Sequence, residues 1–276
     1  MMSADSAATA RGSGATASSG SVFSFGADTL RDRVVLVTGG GVGIGRAVAL
    51  AAARAGARVA VGAHVHVNEA KDVVAEVNAL GSDADLFAAD VSRADEARGL
   101  VAWAAERFGR LDGLVNNAGI MPSTPFLDIT EAEFDLVMRT DLYSQFFCSQ
   151  AVIPVMLKTG GGSIVNIASR LGQVGWADVA HYASAKAGAI ALAKSISRAF
   201  GQQGIRANSV APGVTNTAMG RSVMDGEVGR KRKAELPLGR FGEPEEVANA
   251  VVFLLSDASS LLLGQTLCPN SGGLMP

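Results

Sequence analysis

The sequence has 276 residues, 48% of them hydrophobic and 18% charged, which excludes a wholly disordered chain. A formal net charge of −2 argues against general binding to nucleic acid or to a membrane surface, and no run reaches the ~18 uninterrupted apolar residues of a membrane span. Two cysteines, Cys148 and Cys268, are too few for a disulfide framework and suit a reducing compartment, so a cytoplasmic location is expected.

In chain order, residues 1–30 are rich in Ala, Ser, Gly and Thr and have little to bury. They read as a disordered tail ahead of one domain over residues 31–276. The tail has no apolar h-region and only Arg11 as a basic residue, so it reads as neither a secretory signal nor a transit peptide. Phe23 and Phe25 are expected to fold back onto the body. Val34 to Val37 then form an apolar run that reads as a strand buried on both faces. The glycine-rich turn that follows, Thr38 to Gly45, opens a helix, and a strand, a glycine turn and a helix N-terminus together make an anion site. Its glycines at 39, 43 and 45 miss the strict G-x-G-x-x-G spacing, so a plain βα turn remains the other reading of this stretch alone.

Residues 57–63 are the second strand, and 68–80 a helix ended by Gly81. Residues 84–88 are the third strand, followed by a helix to Phe108 with Ser92 as its N-cap. Residues 113–116 are the fourth strand, and 131–158 a long helix interrupted only by Pro154. Residues 163–169 are the fifth strand, 179–200 a helix and 205–212 the sixth strand. A less regular segment, 213–242, precedes a helix over 244–256 and a last short strand in GQTLC. Strands alternating with helices predict an α/β fold: a doubly wound, Rossmann-type, mostly parallel seven-stranded sheet with helices on both faces. The helix over 179–200 is apolar nearly all round, so one face should meet the sheet and the other a second subunit.

Within that helix, Tyr182 and Lys186 stand four apart and share a face. A phenol ordinarily ionises near pH ~10, and a neighbouring ammonium lowers such a value by about 1–3 units, which makes Tyr182 a feasible acid/base. Such a pair is more often simply solvated. Ser169, at the carboxyl edge of the fifth strand where open α/β sheets bind ligands, adds a hydroxyl able to bond a substrate carbonyl.

With TGGGVGIG (38–45), DV (90–91), NNAG (116–119), Ser169, YASAK (182–186), PGVTNT (212–217) and the region 237–257 in this order, the sequence resembles the short-chain dehydrogenase/reductases. The resemblance covers residues 31–274. It implies an NAD(P)-dependent oxidoreductase that interconverts a ketone or aldehyde and an alcohol, with Tyr182 donating the proton and hydride passing from the nicotinamide C4. It also implies that Gly39, Gly43, Ile44 and Gly45 hold the pyrophosphate and that Asp90 and Val91 flank the adenine. Asn117, Ala118 and Gly119 would line the cofactor channel, Pro212, Gly213, Val214 and Thr217 would approach the nicotinamide, and Lys186 would bond the ribose.

Three departures from the family pattern stand out. Asp141 occupies a position where the family usually has Asn holding a relay water. Asp adds a negative charge able to pair with Lys186 and partly cancel its pull on Tyr182, so activity should be retained with a shifted pH optimum. Ala63, with His64 after it, replaces the acidic residue that would bond the ribose 2′-OH of NAD, which favours NADP over the alternative, NAD, with His64 as a contact. Pro269 and Ser271 alter the last strand, which should lie at the sheet edge because proline cannot donate to a ladder.

The remaining candidates read as structural. His181 is expected on the surface, and His64 and His66 without a third ligand do not make a metal site. Residues 230–233, Arg-Lys-Arg-Lys, read as a solvated helix face, or alternatively as a charged lid attracting an anionic substrate. Gln173 and Trp176 are expected to face the pocket. The activity expected is that of a 3-oxoacyl or general carbonyl reductase acting as a homotetramer or homodimer. The alternatives are a sugar or polyol dehydrogenase and, from another class, a catalytically weak nucleotide-binding regulator.

Overall fold

In the computed structural model, residues 25–221 and 223–275 are described; most of the expected tail, with Phe23, lies outside them. The strands are β1 (Val34–Thr38), β2 (Arg58–Ala63), β3 (Ala84–Ala88), β4 (Gly113–Asn116), β5 (Gly162–Ile167), β6 (Ile205–Val210) and β7 (Thr266–Leu267). The helices are α1 (Gly43–Arg54), α2 (Val67–Ala79), α3 (Ala94–Phe108), α4 (Glu131–Met138), α5 (Ser144–Lys158), α6 (Leu171–Val174), α7 (Ala180–Phe200), α8 (Ala218–Arg221), α9 (Gly226–Glu235) and α10 (Pro244–Leu255). All seven strands pair in parallel in the order β3-β2-β1-β4-β5-β6-β7.

The run Val34–Val37 shows why β1 is central. Alternate side chains leave a strand on opposite faces: Val35 and Val37 join the core under α1 and α10, while Val34 and Leu36 join the core under α3 and α5. Both faces of β1 are therefore dry. The chain's winding direction reverses between β1 and β4, the crevice where open α/β sheets take ligands.

Several expectations are corrected. Residues 25–30 do not belong to a loose tail: Phe25 packs against the core, Leu30 is buried, and its N–H bonds the Ala55 carbonyl at 2.7 Å. Ser92 does not cap α3. Arg93 is the N-cap residue and makes no side-chain cap bond, while the Ser92 N–H donates to Asp90 Oδ1 at 3.0 Å. The helix expected over 131–158 is not broken at Pro154, which sits inside α5. The carbonyl a proline leaves unbonded one turn back belongs here to Gln150, which is exposed to water. The interruption is instead a π-helical turn, Arg139–Tyr143, centred on Asp141. β5 ends at Ile167, so Ser169 lies two residues past the strand. β7 is a two-residue strand at the sheet edge, as Pro269 required. One expectation needs no correction: on α7, Ser184, Ala187, Ala191 and Lys194 form a stripe exposed in the single chain, away from the face that packs on the sheet.

Candidate active site

The glycine turn is braced by the side chains of Thr38, at the end of β1, and Asn117, one residue past β4. The Thr38 hydroxyl accepts the N–H groups of Asn117 and Ala118 at 3.0 and 3.1 Å. In return the Asn117 amide donates to the carbonyls of Thr38 and Gly39, each at 3.0 Å. Gly39 and Gly43 have φ of 63° and 54°, in the left-handed region that an unbranched backbone enters without strain. A Cβ at Gly45 would run into the Gly39 carbonyl oxygen and the Asn117 amide. The result is a cradle of bare backbone at the start of α1, which fits the diphosphate of a dinucleotide. Thr217 closes on it from above, its methyl 3.2 Å from where a Gly43 Cβ would stand. The loop after β6 is joined to the loop after β5 by the Arg170 N–H, which bonds the Pro212 carbonyl at 3.0 Å.

Beyond the cradle lies a cluster of buried polar groups. Ser169, Tyr182, Lys186 and Asp141 are all buried, Asp141 completely. The Ser169 hydroxyl lies near enough to the Tyr182 phenol to favour its ionised form, and its oxygen accepts the Leu171 N–H at 3.1 Å. Lys186 Nζ donates to the Ile167 carbonyl at 3.0 Å and stands 5.4 Å from the centre of the Tyr182 ring. It lies 3.0 Å from Asp141 Oδ1, an ion pair not aligned as a directed hydrogen bond. Asp141 Oδ2 accepts the Ile120 N–H at 2.9 Å. Gly119 leaves the room for this, since a Cβ there would sit 2.5 Å from Asp141 Oδ1 and 3.2 Å from Lys186 Nζ. Below it, Asn116 donates to Asn166 and Ser149 at 2.9 and 3.0 Å, and Asn166 donates to the Ala189 carbonyl at 3.0 Å. This floor ties β4, β5, α5 and α7 together.

Burial sets the electrostatics. It pushes the Tyr182 phenol above its ordinary value; Lys186 and the Ser169 hydroxyl oppose that shift and Asp141 adds to it. The simple expectation of a lowered phenol is therefore corrected, because burial outweighs the lysine's pull and the aspartate adds to the upward push. Burial alone would push Lys186 down, but the negative charge of Asp141 and the neighbouring Tyr182 hold its ammonium above the usual lysine value. Burial pushes Asp141 up against the opposing charge of Lys186 and the Ile120 N–H.

The other expected residues fall as follows. Val91 is buried and Asp90 half-buried beyond β3. His64, beyond the end of β2, is exposed with Nδ1 3.9 Å from Asp90 Oδ1. Trp176 is half-exposed beneath the Arg232 guanidinium of α9, 5.1 Å from the ring centre, so that basic helix meets the loop after β5. Gln173 bonds the Cys268 thiol. His181 is not on the surface: it is fully buried, with Nε2 3.4 Å from Glu133 Oε1. Thr38, Ile120, Glu133 and the Ile167 carbonyl were not singled out in the sequence. Of these only Thr38, directly before the glycines, left a local signal.

A family model described as enoyl-(acyl carrier protein) reductase matches residues 40–273. The chain is 40% identical over 207 residues to the 3-oxoacyl-(acyl-carrier-protein) reductase FabG of Staphylococcus aureus, covering 75% of this chain and 84% of that one. The chain belongs to the short-chain dehydrogenase/reductase family. It is likewise 39% identical over 205 residues to an L-rhamnose 1-dehydrogenase (NAD(P)(+)) of Sphingomonas, covering 74% of this chain and 81% of that one. Among solved structures, levodione reductase superposes with a TM-score of 0.84 at 35% identity, over 88% of this chain and 98% of that one. A Beutenbergia cavernae structure described as an NAD(P)-dependent gluconate 5-dehydrogenase with bound NADP gives 0.85 at 34% identity, over 90% of this chain and 99% of that one. This short-chain dehydrogenase/reductase is accordingly an NAD(P)-dependent oxidoreductase that interconverts carbonyl and alcohol groups. The likeness to these enzymes favours the oxidoreductase over the alternative of a catalytically weak nucleotide-binding regulator. No helix among the described residues is long and apolar enough to cross a membrane.

Proposed function

We propose that the chain is an NADP-dependent carbonyl reductase of the 3-oxoacyl type, with Ser169, Tyr182 and Lys186 as catalytic residues and Asp141 as the charge that sets their protonation. One observation carries the reading: a phenol, an ammonium and a hydroxyl converge, buried, at the carboxyl edge of β5. The similarity to FabG supports the substrate type.

The Ser169 hydroxyl bonds the carbonyl oxygen, and the Tyr182 phenol donates a proton to that oxygen as it becomes an alcohol. A bound reduced nicotinamide supplies the hydride. Lys186 stabilises the phenolate left behind and holds a ribose hydroxyl. Gly39, Gly43, Ile44 and Gly45 bind the diphosphate, Asp90 and Val91 flank the adenine, and Asn117, Ala118 and Gly119 line the channel. Pro212, Gly213, Val214 and Thr217 cover the nicotinamide end. Ala63 places no carboxylate against a 2′-phosphate and His64 offers a donor beside it, which supports NADP over NAD. Exposed Tyr143, Phe146 and the stripe on α7 support a homodimer or homotetramer, which light scattering tests.

A second reading, oxidation of a sugar or polyol, is favoured by the likeness to the rhamnose and gluconate enzymes. The test is a panel of 3-oxoacyl thioesters and ketones with NADPH and NADH, run beside aldoses and polyols with the oxidised cofactors. Fastest turnover on 3-oxoacyl thioesters with NADPH supports the first reading, and fastest turnover on an aldose supports the second. Tyr182→Phe should lower turnover by about 10²–10⁴ with cofactor affinity retained. Undiminished turnover would remove Tyr182 from the mechanism.

A further inference from the structure

The basic run Arg230-Lys231-Arg232-Lys233 is a feature that the proposed mechanism does not use. It lies in α9, at the far end of an excursion over residues 216–241 between β6 and α10. The excursion is pinned at its base. There the Gly242 N–H bonds the Val214 carbonyl at 3.1 Å, and the Asn216 N–H bonds the Gly242 carbonyl at 2.9 Å. Close to that base, Thr217 covers Gly43 of the cradle. At the other end Arg232 lies over Trp176, its guanidinium carbon 5.1 Å from the ring centre. Trp176 stands between Ser169 and Tyr182 in sequence, on the loop whose Asp178 carbonyl accepts the Thr124 N–H at 2.8 Å. The excursion therefore runs from the cofactor cradle to the loop leading into Tyr182, over the carboxyl edge of the sheet where a substrate enters.

Its charge is opposite to that of the chain. Residues 216–241 hold six Lys and Arg against three Asp and Glu, whereas the whole chain carries a net charge of −2. The helix itself is sorted by side. Gly229, which is buried, and Arg232 and the C-cap Leu236, both half-buried, recur at the spacing of one inward face, and the rest of Gly226–Glu235 is exposed. A surface helix ordinarily turns apolar residues inward; here the inward side chain is a guanidinium. Lys231 is paired with Glu227 at 3.0 Å, but Arg230, Arg232 and Lys233 have no ion-pair partner among the described residues. An aromatic ring takes up the face of a guanidinium and not its N–H edge, which stays free for a carboxylate or phosphate.

We propose that Arg232, lying over Trp176, holds an oxyanion of the substrate remote from the reacting carbonyl, a carboxylate or a phosphate, so that the site selects anionic carbonyl compounds. Arg230 and Lys233, exposed beside it, draw such substrates to the entrance. The proposal rests on the reading of Ser169 and Tyr182 as the reacting end of the same site. A guanidinium offers parallel N–H groups to an oxyanion, and the indole beneath it limits the planes that this fork can take.

The test compares two substrate pairs that differ only in charge. One is the 3-oxoacyl thioesters of phosphopantetheine and of pantetheine; the other is a ketone bearing a terminal carboxylate and its methyl ester. In the wild type the charged member should have the lower KM. Arg232→Gln should raise KM for that member by about 10-fold and leave kcat and the neutral members unchanged. Arg232→Lys should recover only part of the loss, because it restores the charge without the fork. An effect confined to one pair identifies the oxyanion as phosphate or as carboxylate. Arg230→Gln with Lys233→Gln should give a smaller rise, about 2-fold, that fades as salt is added. Equal KM within both pairs in the wild type, or equal losses on charged and neutral members in Arg232→Gln, overturns the proposal. Turnover surviving in Tyr182→Phe instead overturns the mechanism beneath it. Should no member of either pair turn over, binding decides. Inorganic phosphate or acetate, added to enzyme whose cradle is saturated with NADP, should change Trp176 fluorescence in the wild type and not in Arg232→Gln. Trp103, the other tryptophan, packs against Phe87 and Phe108 and serves as the reference. A wild-type signal unmoved by both anions overturns the proposal.

Discussion

The glycine cradle between β1 and β4 and the charged seam between α4 and α7 are neighbours built on opposite plans. The cradle works by omission: Gly39, Gly43 and Gly45 leave backbone bare, and uncharged Thr38 and Asn117 hold it with hydrogen bonds of ordinary length. The seam works by opposition: Asp141 faces Lys186 where water does not reach, and the partly exposed Glu133 faces a buried His181. Adding a methyl group harms the first, whereas removing a charge harms the second. Energetically the seam is the more exposed to damage, because an uncompensated buried ion costs more than a steric clash that loops can relax.

The sharpest way to break that contrast is Lys186→Met, which strands the Asp141 carboxyl and should lower stability by about 3–5 kcal/mol in denaturant titrations. The pH dependence carries its own signature. Lys186 is held above the usual lysine value, so its contribution is whole below the ordinary value near ~10.4 and is lost as pH rises through the folded value. Wild-type protein should therefore lose stability on the alkaline side more steeply than Lys186→Met. Parallel alkaline curves would mean that the pair is not coupled to folding.

Gly45→Ala comes next. The added methyl meets the Gly39 carbonyl and should cost about 1–3 kcal/mol, with cofactor affinity falling further than stability, as calorimetry would show. Wild-type affinity would show that the cradle yields more readily than its hydrogen bonds imply.

Asp141→Asn sharpens the comparison on the seam. It keeps the side chain's size, removes the charge that adds to the raised Tyr182 phenol, and should move the alkaline limb of the oxidation profile downward by ~1 unit with turnover retained. An unchanged profile would mean that Asp141 is only structural. The smallest effect is expected for Thr130→Ala. Its hydroxyl accepts the Glu133 N–H at the start of α4 at 3.2 Å, and the loss should be about 1 kcal/mol in thermal melts.

Much of the cradle was legible beforehand because its rules are local. An apolar strand, glycines and a helix start are contiguous in sequence, and Tyr182 and Lys186 are joined by helical periodicity. The seam was not legible. His181 precedes Tyr182 and reads as a loop edge, yet it is enclosed because α4 packs over the first turn of α7. The long helix was expected to break at Pro154, since proline is the visible breaker. The π-helical turn at Arg139–Tyr143 has no such residue and forms where it swings Asp141 toward Lys186.

The sequence by itself determined the alternation of strands and helices, the parallel sheet, the glycine cradle and the phenol–ammonium pair, because each depends on neighbours within a turn or a strand. Tertiary structure alone decided that Asp141 is buried against Lys186, that His181 is enclosed by Glu133, and that the phenol is raised rather than lowered. Those outcomes depend on which distant side chains exclude water from a charge, and dehydration is a property of packed surfaces that no short stretch of sequence encodes.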